Sequence, residues 1–287
     1  MMIGTHIQQP YPLTEQITGA GEHWRECEIE LAREVQNRTF PLKRPPIAGL
    51  DYYSDWRPAR GLSGDFLDFF ELPQGNLGLA IGDVAGRGLA AALLTSSLRG
   101  LARALRPHQY GSLVDLTAAL DELFYEVCPD SSYATMFLAR YDPARRFLHY
   151  VNAGHEPPVL LRKTASGYRP VALEPTGPVI GMLRKSSFQE NLVSLGPGDL
   201  LLAFTDGLCE TANARGEYWG FRRLIATVQA LSYRKARDIV ERVLESVEAF
   251  AGACERQDDM TFWLGRVEET HCRLLPMEEE VELEAVA

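Results

Sequence analysis

Four short segments of the chain each place an aspartate beside an apolar, strand-like stretch. In three of them a glycine adjoins the aspartate, and glycine permits a tight turn and a close approach of the backbone to a ligand. One such aspartate is usually a turn or cap residue, but four that converge would form a site. The segments are Ser63-Gly64-Asp65-Phe66, Gly82-Asp83-Val84, Thr205-Asp206-Gly207 and Gln257-Asp258-Asp259-Met260.

Converging carboxylates would predict a cation site. Two like charges about 4 Å apart repel by roughly 4 kcal/mol at an effective dielectric constant near 20, so protons or cations must neutralise them. Oxygen ligands without cysteine or histidine favour Mg²⁺ or Mn²⁺ over zinc. None of the 6 histidines has a paired metal-ligand spacing, and we interpret His155, in the turn Asn-Ala-Gly-His-Glu-Pro-Pro, as structural.

The elements around these turns follow from hydrophobic periodicity. Their order is strands, two helices, many strands, two helices and a last strand. This order predicts an α+β fold, a four-layer α-β-β-α sandwich of two antiparallel β-sheets flanked by helix pairs. We expect strands over 65–72, 76–84, 133–142, 146–154, 157–162, 168–173, 187–195, 200–204 and 260–267, and helices over 88–105, 112–127, 219–231 and 234–250.

The sequence divides into four parts. We expect a loose arm over 1–21, an amphipathic helix with a proline-rich linker over 22–46, the compact domain over 47–267 and an acidic tail over 268–287. The apolar stripe of the helix must be buried on its own domain or against another copy, and we hypothesise a homodimer through 22–37. The stripe consists of Trp24, Cys27, Leu31 and Val35.

Composition narrows the functional classes. The net charge of −10 disfavours nucleic-acid partners, which require clustered lysine and arginine. No apolar run reaches the roughly 18 residues of a membrane helix, and the first residues lack the pattern of a signal peptide. The 5 cysteines are odd in number and widely spaced, which favours a reducing compartment. We therefore expect a cytoplasmic protein.

A resemblance to a known family rests on seven segments that occur in order. They resemble the signature blocks of the metal-dependent PPM-type serine/threonine protein phosphatases. The most similar branch is the bacterial one typified by the sporulation stage II E phosphatase and the stress-response regulators of partner switching. The segments are SGDFLDFF, GDVAGRGLAAAL, ATMF, NAGHEPP, GPVIGM, LLAFTDGLCE and DDMTFW.

The resemblance implies a metal site and a reaction. Two or more Mn²⁺ or Mg²⁺ ions would lower the pKa of a bound water, which then attacks the phosphoserine or phosphothreonine of a partner protein. In this branch the partner is an anti-sigma antagonist type of regulator. Asp83 matches the residue that bridges two metals, and Asp259 replaces Asp258 if the register shifts by one. The implied ligands are the side chains of Asp65, Asp83, Asp206 and Asp258 and the carbonyl of Val84.

Several residues near these blocks carry further expectations. Arg60 precedes Asp65 by five positions and is a candidate phosphate contact, because guanidinium binds phosphate bidentately. Ser63 and Leu67 replace a glycine and a tyrosine that are common in the family. Arg87 replaces a common histidine, and its charge could either weaken metal binding or recruit phosphate.

Two alternatives remain at this stage. A cysteine-based phosphatase needs the pattern C-x5-R, which occurs at Cys27 to Arg33 and Cys209 to Arg215. The first lies in a predicted helix, and Glu210 beside the second would repel phosphate. The other alternative is a catalytically weak or inactive binding protein that keeps the PPM fold and serves the same signalling system.

Overall fold

Two antiparallel β-sheets of five strands each form the centre of the fold. The computed structural model describes residues 19–40, 44–59, 61–105, 111–129 and 132–269. One sheet has the order β1-β10-β9-β6-β7 and the other β2-β3-β4-β5-β8. The strands are β1 (Leu50–Arg57), β2 (Asp65–Leu72), β3 (Asn76–Val84), β4 (Ala134–Asp142), β5 (Phe147–Ala153), β6 (Val159–Thr164), β7 (Gly167–Ala172), β8 (Asn191–Ser194), β9 (Leu200–Phe204) and β10 (Met260–Val267).

Helices cover the outer face of each sheet. One pair packs on the sheet that contains β2, and another packs on the sheet that contains β10. A further long helix precedes β1, and a short one follows β9 directly. The helices are α1 (Gly19–Thr39), α2 (Leu89–Ala104), α3 (Leu113–Val127), α4 (Asp206–Glu210), α5 (Gly220–Leu231) and α6 (Ala236–Ala251); α2 and α3 form the first pair, α5 and α6 the second.

Strand alternation divides the core into three apolar layers. In β2, Phe66 and Phe70 pack towards α2 and α3, whereas Leu67 packs between the two sheets. In β10, Phe262 packs towards α5 and α6, whereas Trp263 packs between the sheets. Both faces of these strands are therefore buried, which explains their nearly continuous apolar sequences. The predicted four-layer α-β-β-α sandwich is confirmed.

The structure adds one strand to the prediction. β1 pairs with β10 from Leu50 opposite Val267 to Arg57 opposite Met260. Its sequence, LDYYSDWR, shows no clean alternation because it is an edge strand in which only Leu50 and Ser54 are fully buried. Domain limits stay a prediction, since residues 1–18 and 270–287 lie outside the described residues. Among the helices that the structure describes, none has the length and apolar character to cross a membrane.

Candidate active site

The aspartates predicted from the sequence lie at strand ends that meet at one end of the sandwich. Antiparallel pairing of β2 with β3 sets Asp65 directly opposite Asp83. In the other sheet, β9 ends with Phe204 opposite Phe262 of β10. Asp206 therefore follows β9 where Asp258 precedes β10. Each sheet thus contributes two of the four carboxylates.

Asp65 joins the two sheets through its buried carboxylate. Its Oδ2 accepts hydrogen bonds from Thr205 Oγ1 at 2.8 Å and from Thr261 Oγ1 at 2.7 Å. The Thr261 backbone N–H also donates to Thr205 Oγ1 at 2.9 Å. Thr205 lies between the end of β9 and Asp206, and Thr261 lies at the start of β10. These bonds therefore hold the end of β9 and the start of β10 against Asp65 at the start of β2.

Asp258 and Asp259 have different surroundings. Asp259 accepts backbone hydrogen bonds on both carboxylate oxygens, from Ala59 N at 2.7 Å and from Gly64 N at 2.8 Å. Asp258 instead pairs with the Arg87 guanidinium at 3.0 Å and keeps 40% of its side chain exposed. Asp258 Oδ1 accepts from the Asp259 backbone N–H at 3.0 Å. Asp259 therefore fixes the turn before Asp65, whereas Asp258 is the more exposed of the two and is paired with a cation.

The carboxylates raise one another's pKa values. Burial, and then the charges of Asp206, Asp258 and Asp259, raise the pKa of Asp83 to about 7. Burial and the charge of Asp83 raise the pKa of Asp65 well above its usual range. Burial and Asp258 raise the pKa of Asp206, although Arg87 opposes the shift. The site thus concentrates more negative charge than the guanidinium of Arg87 neutralises.

The oxygen atoms of this site are chemically suited to bind a hard divalent cation. Carboxylate and carbonyl oxygens are the ligands that Mg²⁺ and Mn²⁺ prefer, and a cation would relieve the repulsion that raises the carboxylate pKa values. Among the described residues, no three carboxylate, histidine or cysteine side chains are gathered tightly enough to hold a metal ion as they stand.

Comparison with protein-family models gives a match to the stage II sporulation protein E (SpoIIE) family over residues 73–268. The chain belongs to the SpoIIE family. This match includes Asp83, Asp206 and Asp258, and it confirms the resemblance inferred from the seven segments. Asp65 lies just before the matched region.

Curated relatives of this SpoIIE-family chain include a named phosphatase. Phosphoserine phosphatase RsbP of Bacillus subtilis is 30% identical over 245 residues, covering 83% of this chain and 57% of RsbP. Protein IcfG of Synechocystis sp. is 27% identical over 262 residues, covering 82% of this chain and 40% of IcfG. The chain thus spans about half the length of the curated relatives it matches.

Solved structures share the fold of this SpoIIE-family chain. The SiaA-PP2C domain of Pseudomonas aeruginosa superposes with a TM-score of 0.75 at 19% identity, covering 87% of this chain and 99% of that domain. At this level of identity the likeness concerns the fold. It supports the assignment of two stacked sheets with outer helices.

Gly64 packs closely against two of the residues implied as ligands, Asp83 and Val84. A Cβ atom at Gly64 would lie 3.1 Å from the Val84 carbonyl oxygen and 3.2 Å from Asp83 Oδ1. A side chain at position 64 would therefore press on the end of β3 where β2 begins beside it. Ser63 is tolerated in the position before it, since its Oγ accepts a hydrogen bond from Asp65 N at 3.1 Å. Arg60, the candidate phosphate contact, lies outside the described residues.

His155 occupies a structural position behind the site. Its Nδ1 lies 2.9 Å from Thr135 Oγ1, and Asp83 N donates to the same hydroxyl at 3.2 Å. Burial lowers the pKa of His155 to about 4, so the ring is neutral at pH 7. His155 therefore supports the Asp83 backbone through Thr135, in agreement with its interpretation as a structural residue.

The environment of Cys209 disfavours the cysteine-based alternative. Burial, and then the charges of Glu156, Glu210 and Asp206, raise the pKa of the Cys209 thiol to about 12. A nucleophilic cysteine requires a lowered pKa. Cys27 lies exposed on α1, where the helix already uses the backbone N–H groups that would have to surround phosphate.

Sequence reasoning missed three residues that organise the site. Thr205 and Thr261 lie inside the motif segments LLAFTDGLCE and DDMTFW, so their positions beside the aspartates were a usable signal. Gln36 of α1 bonds the backbone of Ser63. No local pattern marks that contact, because its partners are 27 residues apart.

Proposed function

We propose that this chain is a metal-dependent phosphoprotein phosphatase that hydrolyses phosphoserine or phosphothreonine on a partner protein. The observation that carries this proposal is the convergence of Asp65, Asp83, Asp206 and Asp258 in a SpoIIE-family fold. The name of RsbP, a phosphoserine phosphatase, supports the same substrate class.

The proposed reaction assigns distinct tasks to the chain's own residues. When bound, two or more Mn²⁺ or Mg²⁺ ions would supply an activated water and neutralise charge on the phosphoryl group. The metal ligands would be the side chains of Asp65, Asp83, Asp206 and Asp258 and the carbonyl of Val84. Thr205 and Thr261 hold the Asp65 carboxylate in place, and Asp259 holds the turn that precedes it. No covalent protein nucleophile is required.

The substrate is proposed to be a phosphorylated regulator of the anti-sigma antagonist type. This follows the partner-switching branch that the motif segments resemble. Arg60 is the proposed phosphate contact. A net charge of −10 gives no support to a nucleic-acid partner, and a cytoplasmic location belongs to the same proposal.

The helix α1 is proposed to mediate a homodimer. Of the apolar stripe predicted from the sequence, Leu31 is 63% exposed and Val35 is 64% exposed. These side chains are therefore not buried on the chain's own domain, which favours burial against a second copy. A light-scattering mass equal to that of the monomer at micromolar concentration would contradict the homodimer.

Metal titration of a chelator-treated preparation tests the phosphatase proposal. Wild-type protein should release inorganic phosphate from p-nitrophenyl phosphate and from a phosphoserine peptide once Mn²⁺ or Mg²⁺ is added. Asp206→Asn should lose at least about a hundredfold in turnover, a size typical for loss of one preorganised charge-stabilising group. Asp238→Asn, in α6, is the matched control and should equal the wild type.

Two results would overturn the proposal. One is metal-independent turnover, and the other is equal activity of Asp206→Asn and Asp238→Asn. Mn²⁺ binding without any turnover would instead identify the inactive binding protein that the sequence left as an alternative.

A further inference from the structure

The loop 181–187 presents two adjacent large apolar side chains to solvent. Met182 is 49% exposed and Leu183 is 53% exposed. Arg184 and Lys185 follow them and are exposed as well. A single exposed apolar residue is ordinary on a protein surface, whereas a cluster of them marks an interaction site. The proposed reaction gives this apolar pair no task.

A buried carboxylate fixes the shape of the loop. Asp121 of α3 is only 2% exposed, and it accepts backbone hydrogen bonds from Gly181 N at 2.8 Å and from Ser186 N at 3.2 Å. Gly181 has φ +77° and Lys185 has φ +71°, a left-handed conformation that is uncommon outside glycine. The residues 182–185 are therefore held away from the core between these two bonds.

The loop starts at the same end of the sandwich as the aspartates. Ile180 and Ala134 exchange backbone hydrogen bonds of 2.9 Å and 3.0 Å, and Ala134 lies opposite Val84, which follows Asp83. Neighbouring strands lie about 4.8 Å apart, so about 10 Å separate the Val84 and Ile180 backbones. An extended peptide spans about 3.3 Å per residue. A segment bound at the aspartates would therefore reach Met182 through about three to five residues.

A groove between the loop and α3 extends this surface. Its volume is about 280 Å³. On the loop side, the Arg184 guanidinium lies 5.5 Å from the centre of the Tyr125 ring, and its charge complements that of a phosphorylated segment. Glu122 and Glu126 line the groove on the α3 side, and Val127 at the end of α3 is 52% exposed. The groove thus offers polar partners to a peptide backbone beside apolar side chains.

We propose that the loop 181–187 is a docking element for the phosphoprotein substrate, in which Met182 and Leu183 contact apolar side chains about three to five residues from the phosphoserine. This inference rests on the proposed function, because it concerns the substrate of the same site. The occupant is a segment of the partner protein, because the loop continues directly from the sheet end that carries Asp65 and Asp83. Burial of the apolar pair would favour such a segment over phosphoserine in polar surroundings.

Two phosphopeptides of equal length and charge test the loop. One carries leucines about three to five residues on each side of the phosphoserine, and the other carries serines at those positions. The double variant Met182→Ser, Leu183→Ser removes the apolar pair. Leu192→Ser is the matched control, because Leu192 is 54% exposed. It lies on β8 opposite His149, away from the strand ends that carry the aspartates.

The expected result is a preference that depends on the loop. For the wild type and Leu192→Ser, kcat/KM for the leucine peptide should exceed that for the serine peptide on the order of tenfold, because apolar surface is buried on docking. The double variant should lose this preference. Its turnover of p-nitrophenyl phosphate and its calorimetric Mn²⁺ affinity should equal those of the wild type, since the loop holds no metal ligand.

Three results would overturn the inference while leaving the phosphatase proposal intact. One is an equal preference for the leucine peptide in the double variant and Leu192→Ser, and another is a wild type that treats the two peptides alike. The third is loss of p-nitrophenyl phosphate turnover in the double variant, because the pair would then support the site itself. If the wild type has no turnover, the phosphatase proposal fails, and fluorescence anisotropy of the two labelled peptides with Mn²⁺ decides the role of the loop by the same comparison.

Discussion

The guanidinium of Arg87 lies 3.0 Å from Oδ2 of Asp258, across 171 residues of sequence. The pair joins the turn after β3 to the turn before β10. The sequence left open whether Arg87 weakens metal binding or recruits phosphate. Its pairing with an implied metal ligand favours the first role, because the guanidinium and a divalent cation would compete for the same carboxylate.

Replacing Arg87 should therefore strengthen metal binding. Both side chains are partly exposed, 57% for Arg87 and 40% for Asp258, and exposed pairs are worth about 0.2–1 kcal/mol. We expect Arg87→Gln to lower the Mn²⁺ concentration for half-maximal turnover by up to about fivefold. Arg222→Gln, at an exposed position of α5, is the control. An unchanged metal requirement with a raised KM for phosphopeptide would assign Arg87 to phosphate binding instead.

Asparagine substitutions should distinguish the roles of Asp258 and Asp259. If Asp258 is the ligand, Asp258→Asn should weaken Mn²⁺ binding by at least about tenfold, since even residues behind a ligand are worth 10–100-fold. Asp259→Asn should mainly reduce stability, because its two oxygens bond Ala59 N and Gly64 N. Hydrogen bonds to charged groups contribute about 1.5–3 kcal/mol. Calorimetric Mn²⁺ affinity and urea unfolding of both variants measure the difference, and the reverse pattern would shift the motif register by one residue.

The pKa of Asp83 predicts an unusual pH dependence for the metal-free protein. Its value of about 7 in the folded chain compares with about 3.9 for a free aspartate. Between these values the folded state retains a proton that the unfolded state releases, so stability falls as pH rises through this window. The slope for this one group is at most about 1.4 kcal/mol per pH unit.

Thermal unfolding at pH 5.5 and 7.5 tests this dependence. In chelator, the wild type should lose stability towards pH 7.5 by a larger amount than Asp83→Asn, which cannot titrate. Added Mn²⁺ should stabilise the wild type more at pH 7.5, because metal ligands must be deprotonated. Equal pH slopes for wild type and Asp83→Asn in chelator would show that Asp83 does not hold the extra proton.

The strands that carry the aspartates could be predicted from the sequence, because a local apolar pattern marks each of them. The bounds of β2, β3, β9 and β10 match the expected ranges, because strands buried on both faces give continuous apolar runs. The edge strand β1 gave no such run and was missed. The aspartates could be identified because each lies at, or within two residues of, the end of such a strand. The bonds from Thr205 and Thr261 to Asp65 depend on how the two sheets stack, which no local pattern encodes.

Gly207 offers a final test, since it directly follows Asp206. A Cβ atom at Gly207 would lie 2.1 Å from the Asp259 carbonyl oxygen and 3.2 Å from the Asp258 Cβ. Such crowding must displace the backbone that carries Asp258 and Asp259. We expect Gly207→Ala to lower the free energy of unfolding by about 1–3 kcal/mol, the usual cost of overpacking, and to weaken Mn²⁺ binding.

Gly100→Ala is the matched control for Gly207→Ala. A Cβ atom at Gly100 has nothing within 4 Å, and the residue lies inside α2. Alanine should therefore stabilise the chain there by about 0.5–1 kcal/mol, because glycine is unfavourable within a helix. Urea unfolding and Mn²⁺ calorimetry are compared for the two variants. If Gly207→Ala bound Mn²⁺ as well as Gly100→Ala, close approach of the backbone at Gly207 would not be what places Asp206 beside Asp258.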